Sequence, residues 1–233
     1  MMNIGHPPTS INRLKRIQWK EGSLRKLTKS HFRLETQIKL QSEKQYISKI
    51  LTIPNLQMIG GMRVEWTDNL ADHLRLIDDE KTVSIFNCVA FLQFQKNHVA
   101  ADQQLFPDGF VNETLRTLSL LLPQNNNNAQ MWIKKQLREH NCLDPLLAEC
   151  GSLATHERRF ADFDYWHNRL VILKQALDDS QPRTLSQWWF DRRNGVQWYT
   201  FWVAILVFIV TIFFGLVQSL EGALQVYLAF KAS

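Results

Sequence analysis

The run WYTFWVAILVFIVTIFFGL, Trp198 to Leu216, sets nineteen residues in a row with no side chain that charges at neutral pH. As an α-helix it is about 28 Å long, close to a bilayer hydrocarbon thickness of about 30 Å. Twelve of the nineteen are Leu, Ile, Val or Phe, each favouring central insertion by roughly 0.3–0.6 kcal/mol, so together they supply several kcal/mol. Covering such a helix on every side within a soluble core would take more layers than 233 residues can build. The run therefore predicts a transmembrane helix in contact with the lipid bilayer, with Trp198, Trp202, Ile205, Phe208, Ile212 and Leu216 as anchor residues. Its threonine hydroxyls can bond back to carbonyls of their own helix.

The flanks predict an orientation. Trp188, Trp189, Phe190, Trp198, Tyr199 and Trp202 gather amphipathic rings on the N-terminal side, where rings favour the headgroup boundary. Arg183, Arg192 and Arg193 precede the run and Lys231 follows it, so the positive-inside bias places the N-terminal side in the cytosol, with Arg192 and Arg193 as topology determinants. With so little chain after Leu216, the expected route is post-translational insertion as a tail anchor, into the endoplasmic reticulum or another endomembrane before the mitochondrial outer membrane. Residues 217–230 are apolar except for Glu221 and a few uncharged polar residues, and read either as a tilted continuation or as an interfacial helix. Gly215 and Gly222 lack the four-residue spacing of close helix dimers, and the sequence leaves the oligomeric state open.

Elsewhere the chain is ordinary. A mean hydropathy of −0.24 excludes a polytopic membrane protein, and three cysteines are too few for a disulfide scaffold. No apolar run follows the first charges, so a secretory signal is not expected. Residues 1–50 hold eleven basic against three acidic side chains, and residues 51–197 fifteen against eighteen. The expected organisation is a basic segment at 1–50, a cytosolic α+β domain at 51–183 and a membrane anchor at 184–233.

Within the domain, alternation from His31 to Leu40 predicts a strand, as do Met62–Trp66 and Thr82–Phe86. Thr67 predicts the cap of a two-turn helix through Leu74, and an apolar helix follows around Val89, Phe91 and Leu92. Asn112 predicts the N-cap of a helix ending at Pro123, and Asn125–Asn128 a loop. Helices are expected again at Ala129–His140 and from Glu157, the second with Phe163, Trp166, Leu170, Leu173 and Leu177 as an apolar stripe and Asp162, His167, Arg169 and Lys174 on other faces. The fold class is thus α+β, mainly helical in its second half, plus one C-terminal transmembrane helix.

The stretch SQWWFDRRNGVQWYTFWVAILVFIVTIFFGLVQSLEGALQVY, with VEWTDNLADHLRLIDDEKTVSIFNCVAFL, ETLRTLSLLLP and DYWHNRLVILKQ upstream, resembles an uncharacterised family of filamentous-fungal proteins with a single C-terminal transmembrane span. The resemblance runs from about Arg63 onward. It implies a fungal origin and this architecture, and carries no functional residue with it.

No constellation for chemistry stands out. His140, Cys142, Cys150 and His156 are weak candidates for a zinc site, lacking the tight Cys pair such sites use. Cys88 lies in an apolar run with nothing to activate it. The acids Asp68, Asp72, Asp78, Asp79 and Glu80 read as solvated turn residues. No catalytic residue and no cofactor are assigned. Asn112-Glu113-Thr114 is a glycosylation sequon that stays unmodified in the cytosol. The leading expectation is a tail-anchored protein presenting an interaction or regulatory domain to a protein partner that the sequence does not identify. One alternative is an accessory enzyme at a membrane, for example in specialised metabolism, using His73, His140 or His167. Another is contact of the basic N-terminus with anionic lipid or nucleic acid, although its aromatic residues are too sparse for a nucleic-acid platform.

Overall fold

The computed structural model describes residues 23–32, 45–78, 81–98, 105–180 and 195–232. The chain divides into two compact units, Met1–Gln181 and Pro182–Ser233. The first is a mixed α+β domain, and the described residues of the second form one long apolar helix.

In the first unit, α1 (Leu24–His31) ends at Phe32, whose ring meets Phe106 and Phe110. Ile47 is buried in the same core, so chain well before residue 50 packs into the domain. Helix α2 (Ile53–Met58) carries Pro54 in its first turn, where the missing N–H costs nothing. The sheet comprises β1 (Arg63–Thr67), β2 (Arg75–Ile77) and β3 (Thr82–Phe86), in the order β1-β3-β2. β1 runs parallel to β3, with Val64 opposite Val83 and Trp66 opposite Ile85, while β2 pairs antiparallel on the other edge. Flanked on both edges, β3 is buried along its whole length. Helices α3 (Val89–His98), α4 (Phe110–Leu121), α5 (Asn127–Glu139) and α6 (His167–Asp179) complete the core. Trp132 of α5 donates Nε1–H to Gln57 Oε1 of α2 at 2.7 Å and its ring lies 6.0 Å from Trp66, tying helix to sheet.

Strands at Met62–Trp66 and Thr82–Phe86 and helices at Val89 and Ala129–His140 form as the sequence predicts. Four local expectations are corrected. Thr67–Leu74 is no two-turn helix: one 3-10 turn spans Leu70–Asp72, capped by Asn69 Oδ1 on the Ala71 N–H. Leu74 then turns left-handed at φ +59° and gives its N–H to Ser84 O at 2.8 Å. Pairing with β3 outweighs continuation of the helix. Helix α4 starts two residues before Asn112, after Gly109 in the left-handed region at φ +80°. The asparagine tract is only partly loop, because Asn126 Oδ1 accepts the Ala129 N–H at 3.1 Å and launches α5. The last helix begins at His167 and not at Glu157. Short 3-10 turns at Thr155–Glu157 and Phe160–Asp162 come first. The expected stripe is nonetheless buried, with Phe163 and Trp166 contributing from the irregular lead-in. His167, assigned to another face, is buried as well, its Nδ1 2.9 Å from Phe160 O. His31 closes α1 and Phe32 caps it, so the strand expected at 31–40 does not start there; residues 33–40 lie outside the described residues.

The lead-in to α6 is held from α4. Buried Glu113 accepts the N–H groups of Asp164 at 2.9 Å and of Tyr165 and Trp166 at 2.8 Å, a carboxylate at the entrance of α6. Arg116 donates to Glu157 O and Asp162 O, both at 2.9 Å, and lies over the Phe163 ring. Replacing Glu113 by Ala strands three donors, so E113A should lower unfolding stability by about 2–4 kcal/mol. Urea denaturation followed by tryptophan fluorescence measures this, and an E113A protein as stable as wild type would refute the clamp.

Candidate functional site

Helix α7 (Gly195–Ala232) is the feature with the plainest functional meaning. It has 38 residues, and the segment Trp198–Lys231, whose most apolar stretch has a mean hydropathy of 2.7, is long and apolar enough to cross a membrane. The described chain buries none of its most apolar window. Phe208, Ile212 and Leu216 are 65%, 48% and 60% exposed, and a contiguous apolar surface of this size marks a membrane or protein contact. Trp198, Trp202, Ile205, Phe208, Ile212 and Leu216 follow one another at steps of three and four along this helix. The Trp198 and Trp202 rings lie 6.1 Å apart at its start, tilted 56° to each other. Thr200 Oγ1 donates to Val196 O and Thr211 Oγ1 to Val207 O, each at 2.8 Å, so both hydroxyls are satisfied without water. Arg192 and Arg193 lie outside the described residues.

The helix does not break after Leu216 but continues to Ala232. Its full length is about 57 Å, roughly twice the hydrocarbon thickness, so a bilayer crossing would leave part of it outside the apolar core. Glu221 decides which part. With Trp198–Leu216 centred on the bilayer, Glu221 falls about 21 Å from the midplane, among the headgroups. Centring the whole apolar segment instead brings the carboxylate to about 10 Å from the midplane, where an ion is costly.

Within the domain, the other candidates are not assembled. Among the described residues no three His, Cys, Asp or Glu side chains converge to hold a metal. His140, Cys142 and His156 are exposed along the surface, while Cys150 is half-buried with its thiol 3.6 Å from Leu146 O. Burial, with a smaller contribution from Asp144, pushes the Cys150 thiol up to about 12. Burial first, then Asp68 and Asp144, also raises Cys88. Neither is a thiolate at neutral pH, so neither is an activated nucleophile. The three free cysteines differ sharply in access, and Cys142 alone of them is exposed. Brief maleimide labelling at neutral pH should modify one cysteine per chain, and C142S should abolish that fast label; rapid labelling of Cys150 would contradict the geometry.

His73 is fully buried and has a fixed tautomer. Its Nδ1 accepts the Phe86 N–H at 3.2 Å, so Nε2 carries the proton and donates to Thr117 Oγ1 at 2.8 Å. Thr117 in turn donates to Thr114 O, and the Trp166 indole donates to Thr114 Oγ1 at 2.9 Å. Arg169 donates to Ala71 O and His73 O and lies over the Trp166 ring. The arrangement holds a turn; no ring nitrogen faces solvent. Sequence reading missed Glu113, Thr114, Arg116 and Thr117 because nothing in ETLRT distinguishes a polar face turned inward from one turned to water. Thr114 is fully buried, so in the folded domain the sequon offers only Asn112 to the surface.

A scan against family models finds no match, and searches of curated proteins and of solved structures find none either.

Burial, assisted by the Arg169 charge, lowers His73 to about 3. The unfolded chain takes up this proton below about pH 6.5 and the folded chain does not, so the contribution is present above that pH and lost as pH falls toward 3. Unfolding free energy should therefore decline by about 1.4 kcal/mol per pH unit from this residue between about pH 6 and pH 4. Urea denaturation across that range checks it against H73Q, whose slope should be smaller by one proton.

Proposed function

We propose that this chain is a tail-anchored, single-pass membrane protein that holds a cytosolic α+β interaction or regulatory domain at an endomembrane surface. The observation that carries the reading is α7, apolar over more than a bilayer's thickness and uncovered by the described chain. Support for the orientation comes from Arg183, Arg192 and Arg193 on one side against Lys231 on the other, together with the aromatic cluster on the arginine side. The resemblance of residues 187–227 to single-span filamentous-fungal proteins agrees with the same architecture. A display role, in preference to catalysis, fits a domain whose histidines and thiols are either buried in its own network or scattered over its surface. The partner held by the domain is another protein, recruited by surfaces of Met1–Gln181.

Membrane integration is tested by extraction at alkaline pH. The full-length chain should stay in the membrane pellet, and a double substitution at the centre of the run, F208R with I209R, should release it. At roughly 2.5–3.5 kcal/mol per arginine, the pair cancels most of the insertion energy. Added protease should digest an N-terminal tag on intact vesicles, whereas protection of that tag would reverse the orientation.

A further inference from the structure

One polar cleft of the domain carries chemistry that the anchor does not explain. Its walls come from the end of α4 at Ser119, the asparagine tract that opens α5, the Leu153–Thr155 strip, Lys49 and Arg158, and they enclose about 490 Å³. Two cations line it and no acidic side chain does. Arg158 is only 7% exposed, yet its guanidinium has no carboxylate partner among the described residues. Nη2 donates to Ser48 O at 3.3 Å, and Nε is buried without any hydrogen-bond acceptor. A buried cation without a counter-charge is unfavourable, and an anion bound beside the guanidinium would offset that. Glu157 Oε2, in the same turn, accepts the Ala154 N–H at 2.8 Å.

The second donor set comes from α5. Asn126 occupies the N-cap, its Oδ1 taking the Ala129 N–H and its carbonyl the Gln130 N–H. The N–H groups of Asn127 and Asn128 remain, at the positive end of a thirteen-residue helix and on the cleft wall. Peptide donors, a guanidinium and an ammonium together suit a tetrahedral, multiply charged oxyanion. The rest of the wall narrows the choice of body. It offers carboxamides and hydroxyls from Asn125, Asn127, Asn128 and Thr155 and has no aromatic ring on which a nucleobase could stack.

We propose that this cleft binds a phosphate monoester on a hydroxyl-rich body, such as an inositol or sugar phosphate, with Arg158, Lys49 and the first turn of α5 as its anion donors. The same headgroup chemistry can arrive as a free compound or on a phosphoinositide lipid. The test is calorimetric titration of the full-length protein in detergent with inositol trisphosphate and with inorganic phosphate. Inositol trisphosphate should bind more tightly than phosphate, and K49E should weaken it at least about tenfold, as should R158Q. Lys49 is exposed, so K49E keeps the fold even where loss of Arg158 does not. K81E, outside the cleft, should bind like wild type. The protein is then reconstituted in phosphatidylcholine vesicles with or without phosphatidylinositol phosphate. A lower affinity for the soluble probe in the phosphoinositide vesicles identifies the lipid headgroup as the source, and equal affinity identifies a free compound. No binding of inositol trisphosphate, undiminished binding by K49E, or equal loss in K81E and K49E would overturn the proposal.

Discussion

The domain depends on satisfying a long irregular stretch of backbone inside a core that has few strands to do it. Between the end of α5 at Glu139 and the start of α6 at His167 the chain makes only 3-10 turns and one isolated bridge, from Arg159 to Tyr46. Buried peptide groups in such a stretch need partners, and ladder bonds are not available to them. Helix α4 provides the partners from its side chains. Glu113 takes three N–H groups, Arg116 gives to two carbonyls, and the Ser119 hydroxyl lies against Cys150 O. One helix thus does for this segment what a neighbouring strand would do in a sheet. The aromatic packing follows: once Asp164–Trp166 is fixed, the Trp166 ring is set against His73 and Phe110.

The second unit obeys the opposite rule. In α7 the backbone satisfies itself, and the two threonines inside the apolar run also turn inward to their own helix carbonyls. That is the solution demanded where no water is present to accept or donate. Its excess length then becomes a question of charge placement, and Glu221 acts as the ruler. In a bilayer, keeping a carboxylate hydrated would be worth more than burying the last apolar residues beyond it, so a register with Trp198 and Trp202 near one interface would put Glu221 in the other.

What was legible in the sequence divides along the same line. Elements declared by apolar pattern were readable: β3 as an unbroken buried strand, α5 by its apolar spacing, and α7 by sheer length. The errors came where polar side chains act at a distance. Thr67 and Asn112 are both good caps in isolation, but cap propensity is local, and the contacts that decide these turns are not. Leu74 is drawn out of helical geometry by Ser84 ten residues on, and Arg169 holds the carbonyls of Ala71 and His73 from almost a hundred residues away. Glu157 was expected to start a helix because the apolar stripe is real. Its first two members, Phe163 and Trp166, reach the core from an irregular bend that Glu113 pins, a pairing across fifty residues that no periodicity encodes. The cleft was equally hidden, since Lys49, Asn128 and Arg158 come from three separate regions, and the asparagine tract reads as mere loop until Asn126 is seen to cap a helix.

The polar economy of the domain is what separates Arg158 from the rest. His73 is neutral and doubly bonded, Arg116 and Arg169 are spent on backbone carbonyls, and Arg75 pairs with Asp72. Each of these groups was brought out of water to satisfy a peptide or a carboxylate already committed to the fold. Arg158 is more deeply enclosed than any of those three arginines, and among the described residues it satisfies only one carbonyl, at 3.3 Å, with its Nε left over. Burial even pulls its ordinary basicity down, the mark of a cation without a counter-charge. Stability alone gives no reason to keep a guanidinium there, because an apolar residue of similar volume would avoid the desolvation cost altogether. A cation retained under that penalty, beside the open end of a helix and facing a wall of amides and hydroxyls, is accounted for by something that arrives from outside and carries negative charge.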